Sequence, residues 1–343
     1  LTEKKLTVVI PMAGFGTRLR PHTWSKPKPL VNIAGKTVLD HVLDIVATAA
    51  DLDDCRLAII IGYLGDQIRA HMAEHYPGVE TEYYVQQEML GQTHAIAMAR
   101  EKISGPTLIL FADTIVHDDM SFLLEGDRQE EAVIWVKQVD DPRRFGVVEV
   151  GADGFVSAII EKPDSIENDL AVVGYYYFAR GEDLIAAIDT QLNQKMITKG
   201  EYYIADAIKL MMEGGLKLTP KQVEVWLDAG VPETVLETNR YLLENRLDSF
   251  PAISDQVGVE IIPPIYIHPD AHLENSRIGP YVSIAAGCQI SASTIQNSII
   301  EDNVDVIHSH LKGSLVGSRS KVANISGALN IGDDSQAVGP EQG

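Results

Sequence analysis

Residues Val8 to Leu30 read VVIPMAGFGTRLRPHTWSKPKPL. Val8, Val9 and Ile10 are apolar and β-branched, a run suited to a strand buried on both faces of a parallel sheet. The run breaks at Ala13-Gly14-Phe15-Gly16, where two glycines allow tight backbone angles and close approach of another group. A glycine-rich turn after a strand gathers backbone N–H groups into a concavity that suits phosphate oxygens. Arg18, Arg20, Lys26 and Lys28 follow, and no acidic residue occurs between Lys4 and Leu39. Positive charge is concentrated where a polyphosphate would lie.

The chain outward from this stretch alternates between two periods. Val38, Leu39, Val42, Leu43 and Val46 recur at three- and four-residue steps and predict an amphipathic helix. Arg56 to Gly62 predicts a second strand and Gly65 to Glu74 a helix. Thr81 to Gln86 predicts a third strand, Gly91 to Ile103 a helix, and Thr107 to Phe111 a fourth strand. Such alternation predicts an α/β, doubly wound sheet with a parallel core, whose ligands sit beyond the carboxyl ends of the strands. The glycine turn, Gln86 and Asp113 fall at that edge. Further on, Phe145 to Val150 and Phe155 to Ile160 predict a hairpin, Ala171 to Phe178 a strand, and Gln222 to Val225 a strand running into Trp226-Leu227-Asp228-Ala229-Gly230. Helices are expected at Leu184 to Leu192, Tyr203 to Met212 and Pro232 to Glu244.

The net charge of −21 argues against general nucleic-acid binding and against docking on anionic membranes. Two distant cysteines, Cys55 and Cys288, without a C-x-x-C pair fit a reducing compartment, so a cytoplasmic location is expected. The N-terminal apolar run is too short for a signal peptide or a membrane span.

The P-loop pattern is absent, as is the third glycine of G-x-G-x-x-G. What stands here is G-x-G-T-R-L-R-P followed by K-P-K-P-L, which resembles the signature of the sugar nucleotidyltransferases, or NDP-sugar pyrophosphorylases. The resemblance implies a Rossmann-like nucleotidyltransferase domain in which a sugar 1-phosphate attacks the α-phosphorus of a nucleoside triphosphate and pyrophosphate leaves. Two anions must meet, so the work is positioning and charge neutralisation. The resemblance implies that Arg18 holds the β- and γ-phosphates, where a planar guanidinium suits bidentate contact, and that Lys28 lies nearer the α-phosphate. Asp113 and Asp228 match the family's metal aspartates, and Mg²⁺ takes such oxygen ligands. Ala112 stands where the family usually has glycine. Ala13, Gly14, Gly16, Thr17, Gln86 and Gly91 match nucleotide-binding positions. Lys162, in E-K-P, matches the lysine that receives the sugar phosphate; Gly146, Glu161, Val172 and Gly174 match sugar contacts. Tyr176 is a candidate for the sugar pocket, although a strand tyrosine is more often simply packed.

Beyond the prolines 251, 263 and 264 the period changes. Val282, Cys288, Thr294, Ile300 and Val306 stand six apart, Ile278, Ile284 and Ile290 make a parallel series, and Val316, Val322 and Ala328 resume it after a shift. Such a repeat predicts a parallel β-helix; it resembles the left-handed hexapeptide β-helix of long nucleotidyltransferases, with coils of about 18 residues. Cys288 on this repeat is expected to be a small core residue. The expected organisation is a nucleotidyltransferase domain over 1–248, a linker over 249–264, the β-helix over 265–335 and a disordered tail over 336–343, in a homo-oligomer. Val139 to Val147, VDDPRRFGV, is similar to long-form glucose-1-phosphate thymidylyltransferases, while Gly200 to Ile208, GEYYIADAI, is similar to N-acetylglucosamine-1-phosphate uridylyltransferases. Ala-Gly at 13–14 leaves UTP as credible as dTTP. The alternatives are another base or sugar, GDP-mannose synthesis among them, or a catalytically silent subunit of the same fold.

Overall fold

A computed structural model describes residues 5–124, 130–245 and 258–340. The chain packs into two units that do not follow sequence order: residues 5–14 with 42–226, and residues 15–41 with 227–340.

The first unit is built on a nine-stranded mixed sheet. Its centre is parallel: Thr7–Pro11 lies between Thr107–Leu110 and Arg56–Ile61, and Glu80–Val85 forms the edge beyond Arg56–Ile61. Val8, Val9 and Ile10 are fully buried, as are Leu57 to Ile60, which is why these strands show continuous apolar runs rather than alternation. Glu80–Val85 is half-exposed at the edge and carries tyrosines and glutamates instead. On the other side Leu170–Phe178 runs antiparallel to Thr107–Leu110 and to Ala132–Gln138, and the Gly146–Val150/Val156–Glu161 hairpin completes that flank. The helix expected to run from Gly91 to Ile103 covers only Gln92–Met98; after it, bonds from Ala99, Arg100 and Lys102 to residues three back tighten the chain into turns. Two strands, Leu218–Gln222 and Val225–Asp228, stand where one was expected.

The second unit is a short left-handed parallel β-helix joined by the helix Pro232–Glu244 and by residues 15–41. Three five-stranded parallel sheets form its faces, and in one of them Ile267 stacks on Ile284, Ile300, Val316 and Ile331. Those steps are 17, 16, 16 and 15 residues, shorter than the expected 18. The six-residue series therefore slips: Thr294 is half-exposed and Ile295 takes the core position. Cys288 is a buried free thiol in that core, its Sγ donating to the Glu301 carbonyl at 3.0 Å, as a packing residue should.

Two expected boundaries need correction. Glu260–Ile261, in the expected linker, is already a strand of the β-helix, paired with Arg277–Ile278; residues 249–257 lie outside those described. Gln336–Val338, in the expected disordered tail, pairs with Lys321–Ala323 as a final rung; residues 341–343 lie outside those described. The nucleotidyltransferase domain is also not closed in space at residue 248. Asn239 on the helix Pro232–Glu244 accepts from the Ala34 amide at 2.9 Å and from Ser283 Oγ at 2.6 Å, joining the helix both to residues 15–41 and to the β-helix.

Among the described residues, no helix is long and apolar enough to cross a membrane.

Candidate active site

The first unit carries several of the predicted site residues. The strands Thr7–Pro11, Arg56–Ile61 and Glu80–Val85 are parallel and in register, so their carboxyl ends bring Ala13, Gly62 and Gln86 to one edge. The approach is close: a Cβ on Gly62 would lie 2.3 Å from the Ala13 carbonyl oxygen. Gln86 is buried, and its Nε2 donates to His94 Nδ1 at 3.1 Å and to the Gly91 carbonyl at 3.4 Å. This makes His94 a hydrogen-bonding residue that orients the glutamine. Gly91 has φ +118°, and a Cβ there would meet the Tyr202 backbone N and O at 2.5 and 2.6 Å. Its glycine is thus demanded by the bridge to Tyr202 as well as by any ligand. Gly91→Ala is expected to cost about 2–5 kcal/mol, combining backbone strain and overpacking, read from the urea midpoint. A loss below about 1 kcal/mol would show that the bridge yields. Asp113 sits between the strands Thr107–Leu110 and Thr114–His117, the second of which was not expected from the sequence.

The sugar-side residues cluster on the hairpin and its neighbours. A Cβ on Gly146 would lie 3.0 Å from Glu161 Oε2, so the glycine makes room for that carboxylate. Burial raises the Glu161 pKa, and the Asp206 carboxylate adds to the rise while Lys162 opposes it. Lys162 adopts φ +48°, uncommon for a residue with a side chain. Its Nζ donates to Tyr203 Oη at 2.7 Å and lies 4.7 Å from that ring's centre, and its carbonyl accepts from Lys199 Nζ at 2.6 Å. Burial disfavours the Lys162 charge, but Tyr203 and Glu161 more than offset this, and its pKa lies above the ordinary lysine value. Asp206 Oδ2 is buried without a hydrogen-bond partner among the described residues. Tyr203, Lys199 and Asp206 were not singled out from the sequence, although the GEYYIADAI motif that contains Tyr203 and Asp206 was.

Val172 and Tyr176 are core residues, Tyr176 packing edge-on against Phe111 with ring centres 6.3 Å apart. For Tyr176 this is the packed alternative. Gly174, at φ +92°, lies between the paired residues Val172 and Tyr176 where the strand register shifts.

The second unit carries others. Gly16 has φ +59°, and a Cβ there would press on Thr23 and Lys28 at 3.0 and 3.2 Å; Thr23 Oγ1 donates to the Gly16 carbonyl at 2.8 Å. The glycine therefore closes a tight loop that carries Thr17 and Arg18 at its exposed rim and Lys28 at its buried base. Arg18 and Asp228 converge: a Cβ on Gly230 would lie 2.7 Å from Asp228 Oδ1 and 3.2 Å from Arg18 Nη2. The glycine of W-L-D-x-G leaves space for both groups. Thr238 Oγ1 holds the Asp228 carbonyl at 2.9 Å, fixing the backbone under the carboxylate.

One of the four cations is not where the sequence reading put it. Lys26 is buried, bonded to Glu301, with Ser318 Oγ at 3.2 Å and Asp333 Oδ1 at 3.6 Å. It is spent on the β-helix rather than offered to a polyphosphate. Burial opposes its charge, but Glu301 and Asp333 more than compensate and raise its pKa. Nearby, His22 Nε2 is 2.7 Å from Asn330 Oδ1, so the ring donates there and buries an unpartnered Nδ1. Burial lowers the His22 pKa and Lys26 adds to this, while Asn330, Glu301 and Asp333 oppose it. As pH falls below the ordinary histidine value of 6.5, the unfolded chain gains a proton that folded His22 resists, so this contribution to stability is lost on the acid side. The urea midpoint is expected to drop between about pH 7 and 5, with a shallower drop in His22→Gln; equal slopes would remove His22 from the account.

Asp228, with the Arg18 guanidinium beside it in the second unit, carries the hard oxygen donors that Mg²⁺ accepts, and Asp113 in the first unit carries donors of the same kind, so the residue types present fit the ion. Among the described residues no group of three or more His, Cys, Asp or Glu could hold a metal. Mg²⁺ commonly uses one or two carboxylates completed by substrate phosphates.

An α/β sheet whose central parallel strand runs into a glycine turn at its carboxyl end defines a class of nucleotide-binding folds. The chain belongs to the nucleotidyl transferase family, whose model matches residues 7–245, and is a nucleotidyltransferase. It is 28% identical to the low-salt glycan biosynthesis nucleotidyltransferase Agl11 of Haloferax volcanii, over 96% of this chain and 98% of that one. It is 28% identical to a glucose-1-phosphate thymidylyltransferase of Streptomyces antibioticus, over 94% and 96% of the two chains. The bifunctional protein GlmU of Methanococcus vannielii is 30% identical over 97% of this chain and 83% of its own. In fold, a solved UDP-glucose pyrophosphorylase complexed with UDP-glucose superposes with a TM-score of 0.59 at 21% identity, covering 71% of this chain and all of that one.

Proposed function

We propose that this chain transfers a nucleotidyl group from dTTP or UTP to a sugar 1-phosphate, with glucose 1-phosphate the first choice. The observation that supports this reading is the convergence of Arg18 and Asp228 on Gly230, a guanidinium beside a carboxylate. A phosphate oxygen of the sugar 1-phosphate forms the new bond to the α-phosphorus. The bond from that phosphorus to the bridging oxygen breaks, and pyrophosphate leaves with the electron pair. Arg18 neutralises the leaving pyrophosphate and Lys28 the α-phosphate, while Lys162 holds the incoming phosphate and Glu161 accepts from sugar hydroxyls. Mg²⁺ bound by Asp113 and Asp228 would supply charge neutralisation at the phosphates.

The base preference rests on Gln86. With Nε2 committed to His94 and Gly91, its carbonyl oxygen is the acceptor left to face a base. Uracil and thymine present an N3–H donor to such an acceptor, and cytosine does not. A second reading, N-acetylglucosamine 1-phosphate as the acceptor, is favoured by the contact of Lys162 with Tyr203 of the GEYYIADAI motif. A matrix of five nucleoside triphosphates against glucose, mannose and N-acetylglucosamine 1-phosphates, with Mg²⁺ and pyrophosphate release as readout, tests this. Release is expected with dTTP or UTP and glucose 1-phosphate. GTP with mannose 1-phosphate would point to a guanylyltransferase. No release from any pair would leave a silent subunit.

A further inference from the structure

The β-helix corner that follows the stacked series Ile267, Ile284, Ile300, Val316 and Ile331 is formed by His268, Ala285, Glu301, Gly317 and Gly332. One buried carboxylate thus stands in a column next to alanine and glycine. A buried charge is costly unless paired and hydrogen-bonded. Glu301 is paired with Lys26, and Ser318 Oγ donates to Glu301 Oε2 at 3.1 Å. The β-helix touches residues 15–41 twice more near this corner. A Cβ on Gly332 would sit 3.0 Å from Pro21 Cβ, and Asn330 meets His22 at 2.7 Å. These three anchors, at Pro21, His22 and Lys26, lie between Arg18 and Lys28 in sequence.

We propose that the β-helix is a working part of the triphosphate site: Glu301, through Lys26, and Asn330, through His22, are positioning residues that set the loop bearing Arg18 and Lys28. The inference rests on the reading that those two cations bind the triphosphate. Neither Glu301 nor Asn330 touches substrate; each acts by fixing backbone between two groups that do. The loop's own bonds, from Thr23 Oγ1 to Gly16 and along Leu19 to Trp24, hold its shape; the anchors at Pro21, His22 and Lys26 fix where that shape sits, and a cation displaced by about 1 Å loses much of its value to the transition state.

The test measures equilibrium binding of dTTP, UTP and inorganic tripolyphosphate, and separately of glucose 1-phosphate, to the full chain, with the melting temperature recorded alongside. The variants are Glu301→Gln, Asn330→Ala and the double variant Lys26→Met/Glu301→Leu, which replaces the Lys26–Glu301 pair by apolar groups and keeps the core filled, while Asp333 retains the Ser318 amide and Arg319. Triphosphate and tripolyphosphate affinity is expected to fall at least about tenfold in Glu301→Gln, with glucose 1-phosphate binding changed less than about twofold. The double variant is expected to regain the melting temperature but not the triphosphate affinity. Its regaining both, or triphosphate affinity within about twofold of the parent in all three variants, would overturn the inference and leave the pair a stabilising contact only. Tight tripolyphosphate binding lost on Glu301→Gln, in a parent that turns over no substrate pair, would sustain the inference while overturning the proposed function.

Discussion

Asp228→Asn is expected to lower kcat by about 10²–10³-fold while leaving the fold intact. A carboxylate beside the transferring phosphates contributes several kcal/mol of charge neutralisation through its metal, and each 1.36 kcal/mol is about tenfold in rate. The substitution is isosteric, and the Asp228 carbonyl remains held by Thr238, so the backbone at Gly230 has no reason to move. The melting temperature should change by no more than about 2 °C, as for a substitution that creates no cavity and no strain. Raising the Mg²⁺ concentration should recover part of the loss, because a weakened ligand set binds the ion less tightly. A variant with parental kcat would remove Asp228 from the chemistry and, with it, the meaning attached to its meeting with Arg18.

Lys162→Ala is expected to raise KM for the sugar phosphate by about 10–100-fold, the value of one to two charge-assisted hydrogen bonds, with KM for the triphosphate within about twofold. The residue holds φ +48° against its intrinsic preference, with its ammonium on the Tyr203 hydroxyl. Backbone strain of this kind costs about 1–3 kcal/mol and tends to persist where function requires it. Because its pKa is raised, the side chain stays cationic through the neutral range, so sugar-phosphate affinity should show no alkaline loss below the ordinary lysine value of 10.5. If triphosphate KM rose instead, the roles given to Lys162 and Arg18 would have to be exchanged.

How far the molecule can be read from its residues varies along the chain. The central strands were legible because burial on both faces leaves an unbroken apolar run, as in Val8 to Ile10 and Leu57 to Ile61. The edge strand Glu80–Val85 was legible by its tyrosines and valine, although its exposure matches the other half of its composition. The β-helix was legible as a period, but its coils are 15 to 17 residues, and the slip at Thr294 shows that six-residue spacing alone does not set which rungs stack. The short strand Thr114–His117 carried no signal long enough to separate it from the turn at Asp113.

Cations and carboxylates could be named from their motifs, since glycine spacing and charge are local properties of the chain. What Lys26 does could not: its partners lie 275 and 292 residues away, at Glu301 and Ser318. A signal did exist, an acidic residue directly after the buried pair Ile299-Ile300, but only stacking shows that its neighbours in the corner are Ala285 and Gly317, which offer it no cation. Local order, strand burial and the inventory of charged groups were therefore determined by the amino-acid sequence alone. Which of those charges are spent inside the protein and which are left for a ligand was decided by the tertiary structure, because a buried charge is tolerated only beside a partner that folding brings to it.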